Sequence, residues 1–175
     1  MEKIKRIWNE IKAIIITVCV TLLFVTFIAQ TAVTIGQSMY PTLENGDILV
    51  MEKISKRTKN FDRYDIIVFD PLQGDHSTYI KRIIGLPGET IRIDEDANIY
   101  INGEILTSDI YGYEKLTDPG MAINEIKLGE DEYFVMGDNR NNSLDSRFKE
   151  VGVINISQIK GNVMFGLWPP QKIKK

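Results

Sequence analysis

Cysteine and histidine are nearly absent from this chain of 175 residues, which contains one cysteine, Cys19, and one histidine, His76. A single cysteine excludes an internal disulfide, and the pair cannot supply the four ligands of a structural zinc site. A catalytic triad built on histidine would depend on His76. We expect neither a metal nor a cofactor.

An excess of positive charge is also lacking, since 21 basic side chains stand against 24 acidic ones and the net charge is −3. Such a chain has no electrostatic footprint for nucleic acid. The hydrophobic share of 43% and the charged share of 26% are those of a globular protein rather than a disordered one. The length allows one domain, or one domain with a small appendage.

Charged side chains are missing from one long segment near the N-terminus. Residues 13–29, AIIITVCVTLLFVTFIA, are apolar apart from scattered threonines. A bilayer core requires about 20 apolar helical residues, with a lower limit near 17. The sequence therefore predicts a transmembrane anchor over 13–33, with a cytoplasmic N-terminal segment, 1–12, before it and an extracytoplasmic domain, 34–175, after it.

A buried core helix and a cleaved signal peptide are the alternatives for this segment. No polar face appears at any helical period, which favours the anchor over the core helix. A cleavage site requires two small residues in an A-x-A-like pattern, and Ala29 is preceded two positions back by Phe27. The basic residues nearby all precede the segment, so the positive-inside rule predicts a single-pass protein of the cell membrane with its N-terminus in the cytoplasm.

The chain beyond the anchor divides into short segments typical of β-strands, separated by turn residues. They are Asp47–Met51, Asp65–Phe69, Thr78–Ile84, Thr90–Ile93, Asn98–Ile101, Glu132–Met136 and Gln158–Leu167. No window shows helical periodicity over three turns, so we predict a mainly β, antiparallel fold preceded by one transmembrane helix. Asn102-Gly103 predicts a hairpin. The polar, turn-rich interval 94–131 predicts a small lobe or excursion on the β core.

Three segments carry the candidate chemistry: Ser38–Leu43 (SMYPTL), Tyr79–Glu89 (YIKRIIGLPGE) and Gly137–Arg147 (GDNRNNSLDSR). Each also has a purely structural interpretation, namely a turn serine, an edge-strand lysine and a surface loop. The strand period places Lys81 on a mostly apolar face, where its ammonium would be partly desolvated. A loop as polar as the third segment is typical of a scaffold that holds a site through hydrogen bonds.

These segments, with Arg63–Phe69 (RYDIIVF) between the first and the second, resemble bacterial type I signal peptidase. This family comprises membrane-bound serine endopeptidases that remove signal peptides from exported proteins. Four motifs in one order behind an anchor are highly specific. The resemblance implies an antiparallel signal-peptidase/LexA-like core. The single span and the short excursion over 94–131 resemble the Gram-positive enzymes.

The resemblance implies that Ser38 is the nucleophile and Lys81 the general base. A serine hydroxyl needs a group that takes its proton, and lysine can do so when burial lowers its pKa. Arg82 could not, because arginine stays protonated. The backbone N–H of Ser38 would serve the oxyanion hole. Gly36 stands where the Gram-negative branch often has a serine, so the second donor would be backbone or water.

The resemblance also implies a supporting loop. Ser143 would orient the Lys81 amine through a hydrogen bond, and Asp145 would form an ion pair with Arg147 beneath the site. Two further residues would shape the same loop: Asp138 and Asn139.

The implied partners are exported preproteins and membrane lipid. A signal peptide would add as a strand beside Ile83–Gly88, with small residues at positions −1 and −3 as in Ala-x-Ala. Four residues would line the −1 pocket: Met39, Leu43, Tyr79 and Ile80.

Three alternatives stay open. A Ser/Lys autoprotease of the LexA type would carry a helix-turn-helix domain where this chain has its apolar segment. A catalytically silent, membrane-anchored accessory or binding module would have lost Ser38 or Lys81. A structural extracytoplasmic β-domain would have no serine-dependent peptidase activity.

Overall fold

A computed structural model describes residues 1–72 and 77–173, so His76 and any triad built on it lie outside the described residues. The chain begins with helix α1, Glu2–Phe27, whose 26 residues are long and apolar enough to cross a membrane. At a rise of about 1.5 Å per residue, the helix is about 39 Å long. None of its apolar window is packed inside the protein, as expected of a surface that lipid covers.

The predicted anchor, 13–33, differs from the helix at both ends. The helix begins at Glu2, and it ends at Phe27 because Ala29–Val33 form strand β1. This strand pairs antiparallel with β2, Ile48–Glu52, and the pairing satisfies backbone groups that a helix would have bonded internally. The residues that cross the bilayer stay a prediction.

Most of the remaining chain forms an antiparallel, curled sheet around the site. Its other strands are β3 (Ile66–Phe69), β4 (Tyr79–Gly85), β9 (Glu132–Met136), β10 (Ile154–Asn155), β11 (Ile159–Trp168) and β12 (Gln171–Lys172). The order is β1-β2-β11-β3-β4-β9-β10, with β12 beside β11. A short helix, α2, Ile54–Thr58, follows β2. Because β4 lies between β3 and β9, its buried residues are central to the sheet.

A second, smaller sheet lies mostly within the predicted excursion, 94–131, and also includes a strand that precedes it, Thr90–Ile93. Its strands are β5 (Thr90–Ile93), β6 (Ile99–Ile101), β7 (Glu104–Ile105) and β8 (Ile126–Lys127). Asn102 and Gly103 connect β6 and β7 with φ of 51° and 84°, as a tight hairpin with two left-handed residues requires. The predicted hairpin is confirmed.

Three groups of buried apolar side chains hold these layers together. One of them lies below the candidate site and contains Met39, Leu43, Leu49, Met51, Ile66, Val68, Ile80 and Val163. A second packs on the other side of the main sheet, and the third joins the small sheet to the end of β4. The mainly β, antiparallel prediction is confirmed, and all seven predicted segments contain strands.

Candidate active site

Ser38 lies in a turn that follows β1, at the point where the main sheet meets the loop after β9. The side chains of Met39 and Leu43 are buried in the apolar group below, and the Leu43 N–H donates to the Met39 carbonyl at 2.9 Å. Two apolar anchors therefore fix the turn and leave the serine hydroxyl beside a cavity.

Lys81 lies in the middle of β4, and its side chain is buried, with 4% exposed. Its Nζ lies 2.7 Å from the Ser38 Oγ and donates to it, and lies 3.2 Å from the Ile80 carbonyl oxygen. The ring of Tyr79 is 5.3 Å from the same nitrogen. The interpretation of Lys81 as a solvated edge-strand residue is therefore wrong, because its side chain is buried.

Burial lowers the pKa of Lys81 from its ordinary value of 10.5 to about 8. The negative charges of Asp145 and Asp138 act in the opposite direction and limit the change. Neither forms an ion pair with the amine in the part of the chain that the structure describes, since each carboxylate is held by an arginine. A neutral amine beside a hydroxyl is thus accessible within about one pH unit of neutrality.

The first arginine pair is formed by Asp145 and Arg147, both fully buried. Two nitrogens of Arg147 reach the carboxylate at 2.8 and 2.9 Å, which matches the predicted ion pair. The same carboxylate accepts the Gly137 N–H at 3.0 Å and the Ser143 hydroxyl at 2.7 Å.

The prediction that Ser143 hydrogen-bonds the Lys81 amine is therefore corrected. Across residues 1–72 and 77–173, Lys81 donates only to Ser38 and Ile80, while the Ser143 hydroxyl donates to Asp145. A charged carboxylate is a stronger acceptor for a hydroxyl than a neutral amine, which explains the preference.

The second arginine pair was not predicted. Arg82 and Asp138 have fully buried side chains, and two guanidinium nitrogens contact the two carboxylate oxygens at 2.8 and 2.7 Å. The Thr42 hydroxyl also donates to Asp138, at 2.5 Å, and the Tyr111 ring lies 3.7 Å from the guanidinium carbon. The sequence places Arg82 and Asp138 in two separate motifs. Only the fold shows that the two motifs contact each other here.

Asn139 joins the loop after β9 to the serine turn. Its backbone N–H donates to the Ser38 carbonyl at 3.0 Å, and its side-chain Nδ2 donates to the Gln37 carbonyl at 3.1 Å. Gly137 allows this close approach, because a Cβ atom there would collide with the Ser38 carbonyl oxygen and the Ser143 hydroxyl. Asn139 thus connects the loop after β9 to the serine turn, while the supporting roles of Asp138 and Asn139 stay a prediction.

A cavity of about 610 Å³ adjoins Ser38 and Lys81, the two residues called the dyad below. Its lining combines residues 30–39 on one side with residues 77–81 on the other, and it includes Met39, Tyr79 and Ile80 from the predicted pocket. Leu43, the fourth predicted pocket residue, is fully buried in the apolar group and does not line this cavity.

Two strand edges face this cavity without a strand partner among the described residues. The backbone of β4 pairs with β3 over Tyr79–Arg82, whereas its pairing with β9 begins only at Arg82. In turn, β1 pairs only with β2. The predicted addition of a peptide beside Ile83–Gly88 is wrong, because Ile83 already bonds Asp65 on one side and pairs with Val135 on the other.

No cluster of three metal-ligating side chains occurs within residues 1–72 and 77–173. The two carboxylates nearest the dyad are both engaged by arginines. Independently of these groups, the site places the Ser38 hydroxyl 2.7 Å from the buried Lys81 amine, an arrangement that can supply a nucleophile and a general base.

Comparison with known proteins identifies the family of this chain. The family described as "Signal peptidase, peptidase S26" matches residues 7–168. Signal peptidase I S of Bacillus subtilis is 38% identical over 185 residues, which cover all of this chain and 96% of that protein. A probable signal peptidase I-2 of Synechocystis is 33% identical, over 95% of this chain and 76% of that protein.

Among solved structures, a signal peptidase I from Enterococcus faecalis is 32% identical, with a TM-score of 0.48 over 59% of this chain and 96% of that one. The family match extends from within the apolar helix to the end of β11, and so includes the serine turn, β4 and the loop after β9. The chain therefore belongs to the signal peptidase family, peptidase S26, and is a serine endopeptidase.

Proposed function

We propose that this protein removes signal peptides from exported preproteins, with Ser38 as the nucleophile and neutral Lys81 as the general base. The observation that carries the proposal is the 2.7 Å contact between the Lys81 Nζ and the Ser38 Oγ, in surroundings that lower the lysine pKa to about 8. Family membership supports the class of reaction and of substrate.

In the first half of the reaction, the Ser38 Oγ attacks the carbonyl carbon of residue −1, and its proton passes to the neutral Lys81 amine. The carbonyl oxygen becomes an oxyanion. The Ser38 N–H faces no acceptor among the described residues, so it is available as one donor to that oxyanion. When the C–N bond breaks, the Lys81 ammonium gives its proton to the amine of the mature protein.

In the second half, water attacks the acyl-serine and gives a proton to Lys81. The second oxyanion collapses, the ester bond to Ser38 breaks, and the proton returns to the Oγ. The signal peptide leaves as a carboxylic acid, which releases its remaining proton to solvent and becomes a carboxylate, so atoms and charges balance. Asp145 takes no proton in this scheme. It holds Gly137 and Ser143 in place beside the dyad, and Arg147 compensates its charge.

The substrate binds as an extended strand between the two open edges that face the cavity. Main-chain hydrogen bonds to the segments at 31–37 and 79–80 would hold the peptide, as in other cases of strand addition. Alternate side chains point the same way, so residues −1 and −3 enter one side of the cavity. The −1 pocket is formed by Met39, Tyr79 and Ile80. It favours a small side chain, because Met39 and Ile80 are buried and their packing leaves them little freedom to move aside.

The membrane anchor places this cleft near the bilayer. Only ten residues separate Phe27, the last residue of α1, from Ser38, and β1 forms part of the cavity wall. The basic residues before the apolar run place the N-terminus in the cytoplasm and the β domain outside. Enzyme and preprotein then share one membrane, which raises their effective concentration.

Cleavage in bilayer vesicles tests the proposal. A purified preprotein with an Ala-x-Ala site is incubated with the wild type, Ser38→Ala and Lys81→Ala, and with the exposed control variants Ser108→Ala and Lys149→Ala. We expect cleavage after the −1 alanine, a loss of at least about a thousandfold for Ser38→Ala, and a loss of about 10²- to 10⁴-fold for Lys81→Ala.

The pH dependence of cleavage tests whether the neutral form of Lys81 is the active one. Because the neutral amine is the active form, kcat/KM should rise with pH and level off above about 8. Full activity of Lys81→Ala would show that the base lies elsewhere. No cleavage by the wild type of several preproteins would favour the silent accessory module.

A further inference from the structure

The amide side chain of Asn139 is the feature of this site that the proposed reaction leaves without a task. It is 7% exposed, and its Nδ2 donates to the carbonyl of Gln37 at 3.1 Å. Its own backbone N–H donates to the next carbonyl, that of Ser38, at 3.0 Å. One residue thus holds two consecutive peptide units of the serine turn.

The first of these units is the one that carries the proposed oxyanion donor. The Gln37 carbonyl and the Ser38 N–H belong to the same peptide plane and point in opposite directions along it. Fixing the direction of the carbonyl therefore fixes the direction of the N–H. The Tyr40 N–H also donates to this carbonyl, at 3.1 Å, so the plane is held from the turn as well as from Asn139.

The small excursion supports the orientation of this amide. The Tyr113 hydroxyl lies 3.5 Å from the Asn139 Oδ1, and the Tyr113 ring packs edge-on against Tyr40 at 5.7 Å between centroids. The next residue, Arg140, forms a buried ion pair with Asp109. Because the oxygen of the amide meets a donor, its nitrogen is the end that faces the Gln37 carbonyl.

We propose that Asn139 is a positioning residue of the oxyanion hole, which aims the Ser38 N–H at the cavity by holding the Gln37 carbonyl. The inference rests on the proposed function and deepens it. Asn139 touches no reacting atom in this scheme. Its removal should therefore weaken stabilisation of the tetrahedral intermediate and leave ground-state binding and proton transfer to Lys81 as they are.

Kinetics of Asn139→Ala and Asn139→Asp in bilayer vesicles provide the first test. The aspartate is nearly isosteric but replaces the Nδ2 donor by an acceptor that faces a carbonyl oxygen. Both variants should lower kcat about 10- to 100-fold. This loss is at most that of removing an oxyanion-hole donor outright, which lowers kcat about 10²- to 10³-fold. KM should stay within about twofold of the wild-type value. Asn141→Ala is the matched control, because the side chain of this exposed neighbour bonds only Thr117, Lys115 and Glu114 among the described residues.

Inhibitor binding separates positioning from a general disturbance of the site. A peptide aldehyde ending in Ala-x-alaninal adds to the Ser38 Oγ and forms an oxyanion, whereas the matching alaninol binds without a bond. Asn139→Ala should weaken the aldehyde by the factor lost in kcat and leave the alcohol unchanged. The pH at which activity levels off should stay near 8 in this variant, because the surroundings of Lys81 are kept.

Equal weakening of both inhibitors, a change confined to KM, or unchanged kcat in Asn139→Asp would overturn the inference. Thermal unfolding of each variant identifies a fold that is lost, and in that case the isosteric Asn139→Asp decides the question. Cleavage by Ser38→Ala at the wild-type rate would refute the proposed function itself. An inactive Ser38→Ala beside a fully active Asn139→Asp would refute this inference alone.

Discussion

Two adjacent residues of β4, Lys81 and Arg82, are both basic and both buried, but their hydrogen-bond partners differ. Arg82 meets Asp138 through two hydrogen bonds, with both side chains fully buried. Lys81 donates instead to a hydroxyl and to a backbone carbonyl, and burial lowers its pKa to about 8. Alternation along the strand sends one cation to a carboxylate and the other to the proposed nucleophile.

The comparison shows how one strand supplies both a structural ion pair and a candidate base. A buried cation that has a carboxylate keeps its charge and fixes the surrounding loops. A buried cation that has only neutral acceptors gives up its proton more easily. Residue type reinforces the division, since arginine stays protonated while the lysine pKa responds readily to burial. Four changes would break or sharpen this contrast.

Lys81→Arg makes the two positions alike and should have the largest effect. A guanidinium cannot accept the Ser38 proton, so kcat/KM should fall about 10²- to 10⁴-fold at every pH from 7 to 10. Preprotein cleavage in vesicles measures the loss, with Lys149→Arg as the exposed control. Activity that is retained at pH 9 would mean that Lys81 is not the base.

Asp138→Asn removes the negative charge from the other cation while the guanidinium stays buried. The free energy of unfolding should fall by about 3–5 kcal/mol, as when one partner of a buried pair is removed. Denaturant unfolding in detergent measures it. Asp131→Asn is the control, because its pair with Lys59 is exposed and should contribute at most about 1 kcal/mol. Equal effects of the two variants would contradict the contrast.

Lys81→Met should abolish cleavage and yet stabilise the fold. Below pH 8 the lysine is protonated in both the folded and the unfolded state, so the folded state bears the full cost of the buried charge. A fall in pKa from 10.5 to about 8 corresponds to about 3 kcal/mol at pH 7.

Between pH 8 and 10.5 the folded protein loses this proton before the unfolded chain does, so wild-type stability rises with pH. The advantage of Lys81→Met should therefore shrink towards pH 10.5. Unfolding free energies at pH 7 and pH 10 measure the trend. A methionine variant that is less stable than the wild type at pH 7 would refute the cost assigned to the buried amine.

Thr42→Val tests the smallest contribution, the hydroxyl that donates to Asp138. Arg82 still holds the carboxylate in this variant, so the expected loss is about 1.5 kcal/mol of unfolding stability. Thr117→Val, which removes an exposed hydroxyl, should cost less. A double-mutant cycle with Asp138→Asn checks the partner, and additive losses would show that the two residues do not interact.

Much of the fold follows from local patterns in the sequence. Short β-branched and aromatic segments between turn residues mark all seven predicted strands, and Asn102-Gly103 marks its hairpin, because such preferences act over a few residues. Strand β1 was missed, since its residues continue the apolar run of the helix. Whether Ala29–Val33 extend a helix or form a strand depends on pairing with β2, a segment fifteen residues further along the chain.

The site divides in the same way. The motifs identify Ser38 and Lys81 as candidates, and the structure brings their side chains within 2.7 Å, while their catalytic roles stay a proposal. The predicted partner of Ser143 was wrong, and so was the prediction that Leu43 lines the pocket. Both depend on which of several nearby groups a side chain reaches, which spacing along the chain does not determine.

The sequence by itself determined the apolar N-terminal helix, the antiparallel β class and the residue types of the site, because each depends on composition, short periods or a motif. Only the tertiary structure decided that Lys81 is buried beside a hydroxyl while Arg82 meets Asp138. Only the fold also decided that Asn139 holds the serine turn. These relations join residues 43 to 102 positions apart, and the burial that lowers the lysine pKa exists only once their segments have packed together.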